Sequence, residues 1–149
     1  MAIARGSGTE IIRSASCEDI DSTVSKFIIG EQHHIYTVLS IIIYAQGIAS
    51  SSNYVKLLLK GYDTYNGTTA QEIQIFKSHI AETETYVWND KFSFTGFEPV
   101  DFASADLTLA AQNAVADQGS SVVQKLQLYV LSADDDYDVT VTFIDQNNA

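Results

Sequence analysis

Asp134, Asp135, Asp136 and Asp138 crowd one short stretch of the chain, and Asp145 follows seven residues later. Carboxylate oxygens are hard ligands that suit calcium, and positions 134, 136, 138 and 145 reproduce part of the ligand spacing of an EF-hand loop. Two features oppose a metal. Val139 stands where such a loop needs glycine for its sharp turn, and residues 137–145 alternate as a strand. Both features favour a solvated hairpin tip that holds no metal.

The other reactive residue types are scattered. His33 and His34 are neighbours, so on a strand they point to opposite faces and cannot grip one ion together. His79 stands alone, short of the ligands that a zinc shell needs. Cys17, the single cysteine, cannot form an internal disulfide and has no basic or histidine neighbour to activate it. The chain contains neither a Gly-x-Ser-x-Gly elbow nor a glycine-rich phosphate loop. Asn66-Gly67-Thr68 fits the glycosylation pattern but, with no secretion signal, marks only an exposed turn. Tyr36, Tyr44, Tyr54, Tyr62, Tyr65 and Trp88 could build a sugar-stacking platform. No polar groups accompany them to read hydroxyls, so core and interface packing is the favoured role. The expectation is a non-enzyme with no cofactor and no catalytic residues.

The bulk properties narrow the partners. At 149 residues the chain fits one domain with its own core, and 46% hydrophobic against 18% charged residues is not a disordered composition. A net charge of −11 argues against nucleic acid and against an anionic membrane surface. No apolar run reads as a secretory signal, and none approaches the ~20 residues of a transmembrane helix. Residues 1–9 read as a flexible N-terminal arm, with glycines at 6 and 8 and an apolar anchor at Ile3. The first thirteen residues carry a net +1 and the remainder −12. Ile3, Arg5 and Arg13 are therefore the candidate partner-binding residues.

Residues 10–149 read as a single domain of alternating segments. Residues 10–16 and 23–29 are strands about an acidic turn at 17–22. The apolar stretch 33–45 is β-branched and aromatic, as a packed strand should be. Period two places Ile35, Leu39, Ile41 and Ile43 on one face and Tyr36, Val38, Ile42 and Tyr44 on the other. A strand apolar on both faces is expected mid-sheet and covered on both sides.

A serine-rich loop at 46–53 leads to a strand in which Val55, Leu57 and Leu59 oppose Lys56, Leu58 and Lys60. Residues 61–70, with Asn66-Gly67, form a turn. Residues 71–80 are a strand with Ile73 and Ile75 inward. Segments 85–88 and 91–94 flank Asn89-Asp90, which suggests a hairpin or a sharp bend. Pro99 marks 97–102 as irregular or an edge. Residues 104–117 match a short helix, with a strand as the alternative. The segments 122–131 and 137–145 are expected to pair as a terminal hairpin. About eight strands and no βαβ rhythm predict an all-β fold: an antiparallel β-sandwich, jelly-roll-like, with at most one short helix near 104–117.

Three motifs in this order resemble small β-sandwich virion proteins of tailed bacteriophages. The first is Tyr36-Thr-Val-Leu-Ser-Ile41, then a serine-rich loop and the strand from Val55 to Leu59. The second is Glu84-Thr-Tyr-Val-Trp88, then a turn and Lys91-Phe-Ser-Phe94. The third is Asp138-Val-Thr-Val-Thr-Phe143. They span about 33–94 and 122–145, and 97–120 looks like an insertion. The resemblance implies a non-enzymatic structural protein of the virion, assembled in the host cytoplasm. A compact acidic body with a short arm points within that family to capsid decoration, or cement. The arm and one sandwich edge would clamp adjacent subunits of the major capsid protein, with the cement protein a homo-oligomer, a trimer at local three-fold positions. The alternative is a tail- or fibre-associated module that binds another tail protein or a host glycan.

Overall fold

Alternation decides which side of each segment is buried, and the described residues form eleven strands in chain order. They are β1 (Thr9–Ile20), β2 (Val24–Ile29), β3 (His34–Gly47), β4 (Val55–Asp63), β5 (Ala70–Ser78), β6 (Thr85–Trp88), β7 (Phe92–Thr95), β8 (Phe97–Pro99), β9 (Ser121–Val123), β10 (Lys125–Val130) and β11 (Asp136–Asn147). The structure, a computed structural model, describes residues 6, 8–22, 24–31, 33–63, 70–95, 97–99 and 121–148. None of the described residues is helical. The helix expected near 104–117, the Asn66-Gly67 turn, and Ile3 and Arg5 of the arm lie outside the described residues.

The strands pair as nested antiparallel partners: β1 with β11, β2 with β10, β3 with β6 and β7, and β4 with β5. The chain is thus one long hairpin, folded back between β4 and β5. Pairing of β11 with β3 and of β10 with β4 rolls that hairpin up. Two sheets result, β1-β11-β3 ending in β6 and β7, here sheet A, and β2-β10-β4-β5, here sheet B. This is the antiparallel sandwich expected, wound as a jelly roll. The short strands β8 and β9 pair with each other and bring the two ends of the intervening segment together.

Sheets A and B close over a row from each strand. Leu126, Leu128 and Val130 of β10, with Val55, Leu57 and Leu59 of β4, face Tyr137, Val139, Val141 and Phe143 of β11. Each such side chain, fully buried, contributes about 1.5–3 kcal/mol.

The structure corrects four expectations. The terminal hairpin does not form: β10 and β11 lie in opposite sheets, and 131–135 arches between them. Both strands carry unbroken inward rows, and such rows bury each other best across the ~10 Å between stacked sheets. The second correction concerns β3, which is mid-sheet but covered on one side only. Tyr36, Val38, Ile41, Ile43 and Ala45 are buried, whereas Ile42 and Tyr44 are 43% and 37% exposed. Its register on β11 steps from Ser40↔Thr142 to Val38↔Phe143, leaving Leu39 as an extra residue. A one-residue bulge inverts the alternation. The two apolar sets that period two separates are therefore halves of one core row.

Third, β1 continues through the expected acidic turn to Ile20. A bulge between Cys17 and Ile20 absorbs the extra length, and Asp19 there has φ of 52°, its N–H donating to Asp138 Oδ1 at 3.0 Å. Fourth, a bulge in β5 at Ile75 makes Phe76 the buried residue and leaves Ile75 half-buried, while Ile73, opposite inward Leu59, is 43% exposed on this edge strand. Of the two options at Asn89-Asp90, the bend is the one that forms. β6 and β7 pair not with each other but in succession along β3, as one bent edge.

Candidate functional site

The five acidic residues do not share one site: Asp134 and Asp135 lie in the arch, Asp136 and Asp138 begin β11, and Asp145 lies near its far end. Asp136 and Asp145 sit near opposite ends of the strand, about 30 Å apart at ~3.3 Å per residue. Among the described residues no three His, Cys, Asp or Glu side chains are arranged to hold a metal ion. The arch is also not the freely solvated tip expected from the sequence. Asp135 is fully buried, accepting hydrogen bonds from Ala49 N–H at 2.8 Å and Asn53 Nδ2 at 2.9 Å. It ties the loop after β3 to the arch. Tyr137, buried beside it, has its phenol pushed up to about 12 by burial and by the Asp135 charge. Asp136 is held above the usual carboxyl range by loss of hydration first, then by the charges of Asp19, Asp138 and Asp21.

At the other end, Asp145 is 1% exposed and accepts from Arg13 Nη1 at 3.0 Å and His34 Nδ1 at 2.6 Å. The second His34 nitrogen lies 3.5 Å from Glu31 Oε2, so a carboxylate, not a hydroxyl or thiol, faces it. Glu31 N–H donates to the Tyr36 hydroxyl at 3.0 Å, and burial is the main cause that raises the Tyr36 phenol. Arg13 also lies over the Phe143 ring at 5.9 Å. Of the three candidate partner-binding residues, Arg13 alone is described, and it staples β1 to β11. The arm's last glycine is anchored too, Gly8 N–H donating to the Asn147 carbonyl.

The aromatic platform divides. Tyr36 is core, and Trp88 stacks on Phe76 at 5.2 Å. Tyr44 stands on the outer side of sheet A. Tyr54 stands on the outer side of sheet B, stacked on Tyr129 at 6.3 Å, and here a charged surface converges. Lys56 lies over both rings, at 5.2 and 5.5 Å, and Lys77 lies over Tyr54 at 3.9 Å. His79 meets Tyr54 edge-on at 5.9 Å and donates Nδ1–H to the Asn53 carbonyl.

The strand register explains this gathering. Inward Val55, Leu57 and Leu59 send Lys56 and Lys60 outward, and inward Leu126, Leu128 and Val130 do the same for Lys125 and Tyr129. Lys56 is directly opposite Lys77, and Lys60 directly opposite Lys125. Glu72 forms an ion pair with Lys60. Like charges directly opposite each other destabilise a sheet, so stability alone would not select two such pairs. They occur in a chain whose basic residues number only eight against nineteen acidic ones. Each ammonium over a ring gains a cation–π contact and a restricted side chain. Tyr54 has Tyr129 and Lys77 against its ring, which leaves it little free surface for a sugar or base to stack upon. What the surface presents is pre-ordered ammonium groups, suited to carboxylates.

The outer side of sheet A is its opposite. Ser14 and Ser16 on β1 meet Thr142 and Thr140 on β11 through hydroxyl contacts of 3.3 and 3.2 Å. Ile42 and Tyr44 on β3 lie beside Val87 and Thr85 on β6. Among the described residues, charge borders this face at Glu10, Glu18 and Asp138 and at Asp90 and Lys91 of the bend between β6 and β7.

Sequence reading put Lys56 and Lys60 on one side of a strand but missed Lys77, Lys125 and Tyr129, because register alone brings three distant strands together. No protein-family model matches this chain, and no curated protein matches it.

Proposed function

We propose that this protein is a non-enzymatic structural adaptor that docks, through the lysine–tyrosine face of sheet B, on an acidic surface of a protein partner. The observation that carries this reading is the opposed Lys56–Lys77 pair held over Tyr54 and Tyr129 in a chain of net charge −11. Holding the ammonium groups over rings lowers the ordering cost of each ion pair they form with a partner. The order of the three sequence motifs supports a more specific version: a virion protein of a tailed phage, a capsid decoration (cement) protein bound to the major capsid protein. Attachment to a tail or fibre through a host glycan is the second version. The occupied faces of Tyr54 disfavour it.

Two measurements test these levels separately. Retention of the full chain on immobilised poly-L-glutamate, eluted by salt, is expected for the docking face. Stronger retention on heparin would favour a glycan, and retention on neither would contradict the face. Quantitative mass spectrometry of purified particles tests the virion version. Hundreds of copies on heads mean cement, a dozen or fewer mean tail, and absence from particles contradicts both.

A further inference from the structure

We propose that the open edge of β1 receives an extended segment of a partner protein as an added strand, one apolar side chain of which fills the cleft between β1 and β2. An unpaired strand edge is a template for another chain, and proteins blunt such edges with short strands, bulges or bends. The other described edges of sheets A and B are blunted in these ways. β2 is six residues long and bulges at Phe27, β5 bulges at Ile75, and β6 and β7 are four residues each and bent. β1 differs. Among the described residues it pairs with β11 alone, and its register is unbroken over residues 9–17. That stretch holds neither lysine nor proline, and its Ile12 is 71% exposed.

A second observation falls on the same edge. A cleft of about 160 Å³ opens between β1 and β2, with Arg13 and Ala15 on one side, Phe27 on the other, and buried Tyr36 and Phe143 beneath. Successive side chains of a strand alternate, so Arg13 and Ala15 share one side of β1, and alternate side chains of an added strand join them there. One stands opposite Ala15, whose small side chain leaves the cleft open, and the rings of Phe27 and Phe143 suit an apolar group in it. The next stands opposite Arg13, which is 52% exposed and bonded to Asp145 through Nη1. Its other N–H donors suit a carboxylate. Glu31, also on the cleft, lies 3.5 Å from His34. Main-chain pairing of this kind supplies affinity, and the alternate side chains supply specificity. The partner segment therefore carries an apolar and an acidic residue two positions apart. A second copy of β1 fits worse. Pairing residues 9–17 with themselves, antiparallel, sets the two copies of Arg13 directly opposite each other, and like charges so placed destabilise a sheet. The inference does not rest on the lysine–tyrosine face.

The test is an NMR titration of the full chain with a soluble threonine-rich peptide that carries one leucine and, two positions on, one glutamate. Shifted signals at Arg13, Ala15 and Phe27 are expected, with slowed amide exchange along residues 10–17. Lysine in place of the peptide's glutamate is expected to weaken binding by roughly tenfold. Alternate N–H groups of an added strand face β1, so N-methylation of one alternate set of peptide amides is expected to abolish binding and methylation of the other to spare it. Lys56→Glu with Lys77→Glu is expected to bind the peptide as wild type does while losing retention on poly-L-glutamate, so the two proposals fail separately. No shift at about 1 mM peptide, binding that survives both N-methylated forms, shifts confined to sheet B, or β1 amides already protected in a wild-type dimer would overturn the proposal.

Discussion

The two outer faces of this sandwich rest on the same core and obey opposite rules. Sheet A shows the solvent hydroxyls and aliphatics, with Ser and Thr paired across strands. Sheet B shows lysines set directly against lysines over stacked tyrosines. The first arrangement is quiet: every cross-strand neighbour is tolerated by the other. The second is under electrostatic tension, relieved in part by Glu72 and by the tyrosine rings. Identical strand physics underlies both, so the difference locates where the chain departs from what folding alone would choose. Departures of that kind mark functional surfaces.

Removing what the faces share has the largest expected effect. Ile41→Ala under sheet A, or Leu128→Ala under sheet B, deletes a fully buried side chain and should cost about 2–5 kcal/mol in denaturant unfolding. Either substitution should also lower retention on poly-L-glutamate. An Ile41→Ala variant that lost stability and kept its retention would show that the sheets do not act as one unit. Next in size, Lys56→Glu with Lys77→Glu should cut retention on poly-L-glutamate by roughly 100-fold, about 2.7 kcal/mol. It leaves two like charges opposed but removes their contacts with the tyrosine rings, so thermal stability should fall slightly.

The smallest effect concerns the acidic end of sheet A. Asp136 is raised above the ordinary carboxyl value by lost hydration and by Asp19, Asp138 and Asp21. A raised carboxyl favours the folded state at low pH, and that contribution is lost as pH rises through the folded value. At neutral pH the charged group is thus a burden. Asp136→Asn should raise the melting temperature slightly at pH 7, and the gain should fade on acidification towards pH 3.8, the ordinary value. A gain that grew on acidification would reverse the assignment.

Much of the fold was legible because alternation reports burial directly. Alternation puts Leu126, Leu128 and Val130 on one face of their strand, and Tyr137, Val139, Val141 and Phe143 on one face of theirs, and both sets are buried. Three things were not legible, each for a physical reason. The bulge at Leu39 depends on what β11 offers opposite it, and nothing inside residues 33–45 states that. Whether β10 and β11 turn back or arch across leaves their alternation unchanged, so pattern cannot choose between hairpin and sandwich. The lysine–tyrosine face depends on the register of β10, β4 and β5, which places Tyr129, Lys56 and Lys77 side by side from positions far apart in the chain. Asp135 was misread for a similar reason, since its partners Ala49 and Asn53 lie in a loop of the other half of the roll.

The central claim is that the Lys56–Lys77 opposition serves a partner rather than the fold. The single substitution Lys77→Glu separates these roles, because it turns a repulsive cross-strand pair into an attractive one. The new attraction to Lys56 offsets the lost contact of Lys77 with the Tyr54 ring. Stability should therefore stay within about 1 kcal/mol of wild type, while retention falls. A variant that lost stability and kept its retention would contradict the account.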